Sequence, residues 1–409
     1  MLPAHMSLFS FFTSHFQNQN QNQNPGGAEQ TGKISNTGQT TTAGTFTAAE
    51  VVHHSRSLGP LIQSTTNFES KTQMSVQDSD SDIENQKINK PAVLTIGSVL
   101  VDIFISSDQF EITHGDEEVF TTRSRGGKLT VDSFKIKTGG GGGNTAAGFA
   151  AAGFDVGCVA ELGVDELAEI VVADLRRHGV KTTYLVQERK EETGGSVLLV
   201  SSGGERTALV HRGAAAMLDP HDIDEHLLSK QDWIHLSSVA GRTQTIQEIF
   251  RVAHDHSVPI SWNPGQAELE ELAKMSDNQE TLAEYVSQFA RDSHPVKVLL
   301  LNKQEWQLVE GIQSALRSVV QTIVVTDSVR GGVVYQGDSE QTFDAKTVES
   351  VDNTGAGDAF AVGFVSALIY KKTISTAVQW GVRNAASVVQ QPGAKHGLLS
   401  LQDLEQQEN

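Results

Sequence analysis

Five short apolar runs, set tens of residues apart with helical stretches between them, constrain this chain more than any other feature. They are Ala92–Ile96, Trp233–Leu236, Val258–Trp262, Val296–Leu301 and Ile323–Thr326. Each is essentially continuous rather than alternating, as a strand reads when both of its faces are covered. A further strand is expected over Val156–Leu162. After it, Asp165–His178 reads as an amphipathic helix with Leu167, Ile170, Val171 and Leu175 on one face, stopped by Gly179. Such alternation builds a parallel sheet with helices on both sides. Ligands of these sheets gather at the C-terminal ends of the strands.

Two glycine-rich segments sit where such a site would need them. Val351–Phe360 ends in Thr354-Gly355-Ala356-Gly357-Asp358 and runs into the small-residue stretch Ala359–Leu368, which reads as a tightly packed buried helix. A helix N-terminus leaves about four N–H groups unpaired and carries roughly half a positive charge, and glycines let an anion approach those groups. Asp358 inside this cradle reads either as a helix cap or as a base that takes a proton from an alcohol while the amides stabilise a transferring phosphoryl group. Gly139–Gly143 is the second segment, closed by Asn144 and an Ala-rich helix. Five glycines either stay flexible or permit close backbone approach by a ligand; no Gly-Lys-Ser/Thr follows, so this is not a Walker loop.

Two further polar groups stand out against apolar surroundings. Asp102 lies amid Leu100, Val101, Ile103 and Phe104 and requires a hydrogen-bonding partner there. Asn302 and Glu305 are three apart at the start of a helix, which places them on one face. They read either as a helix cap or as hard oxygen ligands for Mg²⁺, through water.

Acidic residues outnumber basic ones 50 to 31 and the formal net charge is −19. That balance repels nucleic acid and anionic membrane surfaces, and no basic stripe offsets it. Cys158 is the only cysteine, which excludes an intramolecular disulfide and a Cys-rich zinc site and suits a reducing, cytoplasmic compartment. No run approaches the ~18 apolar residues of a membrane span. The segment up to Phe16 lacks a Lys/Arg n-region and a small-residue cleavage site and is not read as a signal peptide. Gln17–Asn24 is a Gln-Asn repeat, and Ser/Thr/Gly/Gln-rich sequence follows. Such composition cannot bury enough apolar surface to offset chain entropy. Residues 1–90 are therefore expected to be a disordered tail ahead of a folded domain at 91–400, with a short C-terminal tail at 401–409.

The segment Asp352–Asp358 resembles the D-T-x-G-A-G-D signature of the ribokinase-like (PfkB) family of carbohydrate and nucleoside kinases. Gly139–Asn144 resembles that family's earlier G-G-x-x-x-N signature, in the same order, and the likeness extends over roughly residues 91–400. It implies a ribokinase-like three-layer α/β/α domain with a central, mostly parallel sheet and a small β-sheet lid from about 105–137 and 183–212. It also implies ATP-dependent transfer of the γ-phosphoryl group to a sugar hydroxyl. In that reading Asp358 is the general base and the backbone of Gly355, Ala356 and Gly357 forms an anion hole. Asp102, Gly139, Gly140 and Asn144 contact the acceptor, and Asn302, Thr326 and Asn384 lie at the nucleotide. Asn302 and Glu305 handle Mg²⁺, and Asp352 stands near a monovalent cation such as K⁺. The implied partners are a small sugar or nucleoside and a second copy of the chain through the lid.

In the first signature Asn353 and Thr354 follow Asp352, and elsewhere Ala168 stands for the last glycine of G-x-D-x-x-G and Ser328 for the glycine of T-x-G. Glu205-Arg206 and the Ala214-Ala215 turn resemble adenosine-kinase-like members, so a nucleoside kinase competes with the sugar reading, as does a phosphosugar kinase. A catalytically inactive nucleotide- or sugar-binding protein is the remaining alternative, against which the intact Asp358, Asn302 and Glu305 argue.

Overall fold

The structure, a computed structural model, describes residues 90–113, 119–122, 128–188, 190–201, 206–274 and 295–406. The tail expected to be disordered lies outside the described residues, apart from Lys90. In chain order the strands are β1 (Ala92–Ile96), β2 (Leu100–Ser106), β3 (Phe110–Thr113), β4 (Val119–Thr122), β5 (Ser133–Gly139), β6 (Asp155–Val159), β7 (Glu161–Leu162) and β8 (Val186–Gln187). They continue with β9 (Gly195–Val200), β10 (Arg206–His211), β11 (Trp233–Leu236), β12 (Ile260–Trp262), β13 (Val296–Asn302), β14 (Thr322–Thr326), β15 (Gly332–Gln336) and β16 (Ser339–Phe343). The helices used below are α1 (Gly141–Ala151), α2 (Glu166–Arg177), α3 (Thr243–Asp255), α4 (Gln266–Lys274), α5 (Lys303–Leu308), α6 (Ala356–Ile369), α7 (Ile374–Val389) and α8 (Leu401–Glu405).

The main sheet has eight strands in the order β16-β15-β14-β13-β12-β11-β1-β6. From β6 to β14 all neighbours are parallel, and β15 and β16 extend the edge antiparallel. Successive residues of each strand enter opposite cores. Val93, Val298, Leu300 and Val324 pack with Phe149 of α1, Phe364 of α6 and Trp380 of α7. Leu94, Leu299, Leu301 and Ile323 pack with Ile249 of α3, Leu269 of α4 and Trp306 of α5. The continuous apolar character of the runs follows from this double coverage. No helix among the described residues is long and apolar enough to cross a membrane.

A second sheet runs in the order β10-β9-β2-β5. Its β2 carries Asp102, which lies against Gly139 at the head of the glycine run. The C-terminal segment, expected as a tail, instead closes with α8. Ser400 and Asp403 form a reciprocal cap and Leu404 is fully buried, which anchors the segment to the domain.

Candidate active site

The two glycine segments meet at the C-terminal ends of the strands. The Asn144 Nδ2 group donates to Asp358 Oδ2 at 2.8 Å, across 214 residues of sequence. Each partner sits near the start of a helix. In α1 the cap is Gly140, at φ 89°, where a Cβ would run into the Ser98 carbonyl. The amides of Gly142 and Gly143 donate to that same carbonyl at 3.0 and 3.3 Å. The run read as flexible or ligand-approaching is thus ordered, with three of its glycines inside the helix.

In α6 the cap is Gly355, at φ 78°, pressed against Ala394 so closely that only glycine fits. Beyond it the first-turn backbone of Gly357 faces open space, with nothing within 4 Å of where a Cβ would stand. A cavity of about 200 Å³ lies over this turn, lined in part by Asn302, Glu305, Thr326, Gly355, Gly357 and Asp358. The expected anion cradle, base and helix-start pair therefore share one cavity.

Asp358 still shows part of its surface to the cleft, while its carboxyl group is enclosed by neighbouring atoms. Burial pushes its pKa up to about 6; the bond from Asn144 and the charge of Lys395 work in the opposite direction without cancelling it. A base poised near neutrality suits proton abstraction. Asp102 accepts from the Ser196 hydroxyl and lies against Gly139, and burial raises its pKa as well.

Asn302 and Glu305 form a reciprocal capping box on α5. Asn302 Oδ1 accepts from the Glu305 amide at 2.9 Å, and Glu305 Oε2 from the Asn302 amide at 2.7 Å. Of the two alternatives raised by the spacing, the helix cap is formed, and it holds the two side chains at the cavity edge. Burial raises the Glu305 pKa. No group of three or more carboxylate, His or Cys side chains among the described residues could enclose a bare metal ion. The donor set suits a Mg²⁺ ion held through water and phosphate oxygens, and the open glycine turn suits the phosphate.

Other expected residues stand differently. Asp352 Oδ1 accepts from the Thr354 amide and hydroxyl at 3.0 and 2.7 Å, and Oδ2 from the Gly393 amide at 2.9 Å, so it clamps the glycine segment to the Gly393 turn. Asn384, expected at the nucleotide, is 1% exposed. Its amide donates to the Ala359 carbonyl at 2.7 Å and accepts from the Leu399 amide at 3.0 Å. It fastens α7 to α6 in the core instead of lining the cavity. Ser328 adopts φ 51°, the left-handed conformation that the missing glycine would hold without strain.

Two residues beside the glycine run escaped the sequence reading. Lys395, 9% exposed, donates to Asp174 Oδ2 at 2.8 Å and to the Thr138 hydroxyl at 2.7 Å, joining the C-terminal turn to α2 and to β5 beside the glycine run. A usable signal did exist: Asp174 falls on the apolar face of α2, one turn from Ile170 and Val171, where a charge needs a partner. Ser237 lies against Gly141 near Asp358 Oδ1, and its buried hydroxyl has no hydrogen-bond partner among the described residues. Nothing local in the sequence marks it.

The sequence pattern of the family described as pfkB family carbohydrate kinase matches residues 92–400. The chain is 25% identical over 317 residues to a ribokinase of Bacillus subtilis, covering 77% of this chain and 98% of that protein. A solved Arabidopsis thaliana ribokinase complexed with ribose and ATP superimposes with a TM-score of 0.60 at 19% identity, covering 77% and 97% of the two chains. A solved adenosine kinase from Sinorhizobium meliloti gives 0.58 at 24%, covering 76% and 97%.

Proposed function

Because this chain belongs to the pfkB family of carbohydrate kinases, we propose that it transfers the γ-phosphoryl group of ATP to a hydroxyl of a sugar, with Asp358 as general base. The bond between Asn144 and Asp358 carries the reading. It holds an enclosed carboxylate, pKa about 6, at the glycine-led start of α6, facing the cavity. Asp358 Oδ2 is engaged by Asn144 on another helix, and Gly355, the cap of α6, makes no side-chain capping bond. Asp358 would take the proton of the attacking hydroxyl, while the first-turn amides of α6 offer N–H groups to the developing charge. Asp102, held by Ser196, supplies a carboxylate for acceptor hydroxyls. Mg²⁺, placed by Asn302 and Glu305 through water, would supply charge neutralisation on the phosphate oxygens.

The test is ADP release from Mg-ATP with ribose, fructose, fructose 6-phosphate, ketodeoxygluconate, adenosine, cytidine and inosine. Turnover with a sugar, reduced by the ~10²–10⁴ of a lost base in Asp358→Ala, is the expected outcome. Near-wild-type turnover in that variant removes the assignment.

A homodimer through the small sheet and a cytoplasmic setting belong to the same proposal; the lone cysteine supports the second. The register places Ile136, Ile103, Val197 and Leu209 in one row across the sheet, with Phe134 on the same face. Phe134, Ile136 and Leu209 are 59%, 46% and 58% exposed, an apolar face suited to a second copy. Sedimentation is expected to show a dimer that Phe134→Lys with Leu209→Lys converts to monomer. A wild-type monomer removes this part of the proposal.

A further inference from the structure

One buried carboxylate outside the roles above holds the loop that follows β11. Glu268 lies in the first turn of α4 and is 3% exposed. Its Oε1 accepts from the Val239 amide at 2.8 Å, the Gly241 amide at 3.0 Å and the Ser238 hydroxyl at 3.0 Å. Its Oε2 accepts from the Gly265 amide at 3.0 Å and the same hydroxyl at 3.1 Å. Every one of these partners donates, and an ionised carboxylate is an acceptor-only group. The Gly265 bond is the reach-back of a glutamate to its own helix cap. The others cross to the loop of the neighbouring strand and go beyond capping.

That loop is strained and well placed. Ala240 and Gly241 have φ of 58° and 77°, and a residue with a side chain is strained in the left-handed region. Such strain persists where the surroundings over-determine it, and it gathers at functional sites. At the head of the loop, the Ser237 hydroxyl, without a hydrogen-bond partner among the described residues, lies over Gly141 beside Asp358. Behind it, Arg242 Nε donates to the Ala216 carbonyl at 2.7 Å, in the turn that follows β10 of the small sheet. The loop therefore links the base, the glycine run and the small sheet, the three parts that surround an acceptor, and none of residues 237–241 lines the cavity at Asn302 and Thr326.

Resting on the kinase reading above, we infer that Glu268 is a positioning residue: it sets the Ser237–Gly241 loop against the phosphate acceptor and so governs acceptor binding, leaving nucleotide binding unchanged. Glu268→Gln keeps the size of the side chain but turns an N–H₂ group toward donors.

The experiment measures kcat and both KM values for wild type, Glu268→Gln and Leu272→Val, using whichever of ribose, fructose or adenosine the wild type phosphorylates best. The last variant perturbs the core side of the same helix and removes none of the hydrogen bonds that hold the loop. The expected result is a rise of tenfold or more in acceptor KM for Glu268→Gln, with KM for Mg-ATP within twofold. Leu272→Val is expected to lower Tm with both KM values unchanged. An acceptor KM within twofold of wild type, or a parallel rise in both KM values, overturns the assignment. If the wild type phosphorylates none of the three, the kinase reading has failed on these acceptors, and amide exchange at Val239 and Gly241 decides the anchor alone. Exchange at least tenfold faster in Glu268→Gln upholds it, and equal rates overturn it.

Discussion

Asp358 and Asp174 are two enclosed carboxylates under the influence of the same lysine, and their surroundings treat them in opposite ways. Asp174 takes bonds from Lys395, Thr138 and Arg177. Although burial works against its charge, the Lys395 ammonium and these bonds hold its pKa below the usual carboxylate range. Asp358 has one neutral donor, Asn144, and burial wins, lifting it to about 6. The difference is one of pairing. A fully paired carboxylate is a structural joint, whereas an underpaired one keeps a proton affinity useful to catalysis at a cost in stability.

The comparison breaks most easily at the paired end. Lys395→Met leaves Asp174 with only the exposed Arg177 as a cation, which costs about 3 kcal/mol, the low end for breaking a buried pair, and is expected to lower the denaturation midpoint sharply. The unpaired end should answer with the other sign. Asp358→Asn removes a charge whose burial is unfavourable, and at pH 7 it is expected to stabilise by on the order of 2–3 kcal/mol while removing activity. If both variants destabilise, the contrast between the two carboxylates is wrong.

A smaller effect sharpens the same contrast through pH. Because the folded pKa of Asp358 is raised, its contribution favours folding below the ordinary carboxylate value of 3.8 and is lost as pH rises toward about 6. Asp174, with its pKa depressed, contributes above the ordinary range and loses that contribution as pH falls. Only ionised Asp358 can accept a proton, so kcat/KM for the acceptor is expected to climb to a plateau with an acid limb near pH 6. Asn144→Ala removes the donor that favours the charged form and is expected to move this limb upward. A limb that stays in place separates Asn144 from the base.

The paired and unpaired ends also differ in how far the sequence reveals them. The strands were legible because continuous Val, Ile and Leu runs have one physical use, burial on both faces. Asp165 was legible as the start of α2, where its carboxylate accepts from the Ala168 amide. Asp358 and Asn144 each announced themselves by the glycines beside them. Their bond did not, since it depends on packing α1 against α6, where Gly148 meets Val362. Asn302 and Glu305 stayed ambiguous because a capping box and a water-bridged ligand pair use one spacing. Lys395 and Glu268 were missed for a common reason: each works chiefly through partners on other elements, and a charged residue's letter does not say whether it turns outward or inward; for Lys395 only its partner Asp174, on the apolar face of α2, gave a signal. Asn384 erred in the other direction, since an amide buried to fasten two helices has the same letter as one that meets a ligand.

The smallest effect concerns strain instead of charge. Ser328 holds φ 51° immediately after β14, where the related signature has glycine, and Asp327 beside it is tied to Lys303 and Arg330 at 2.9 and 2.8 Å. Ser328→Gly relieves about 1–2 kcal/mol of left-handed strain but gives back roughly 0.5–1 kcal/mol through the greater freedom of the unfolded chain. The net gain is therefore at most about 1.5 kcal/mol, a rise in Tm of a few degrees. What happens to KM for ATP at the same time decides which of the two carboxylates this serine resembles. A higher Tm with KM unchanged makes the strain a tolerated cost of the sequence, carried by the ion pairs of Asp327. A higher Tm with a raised KM makes it strain held for nucleotide binding, as the charge of Asp358 is held for catalysis, because glycine would then release a loop that the serine keeps in one conformation.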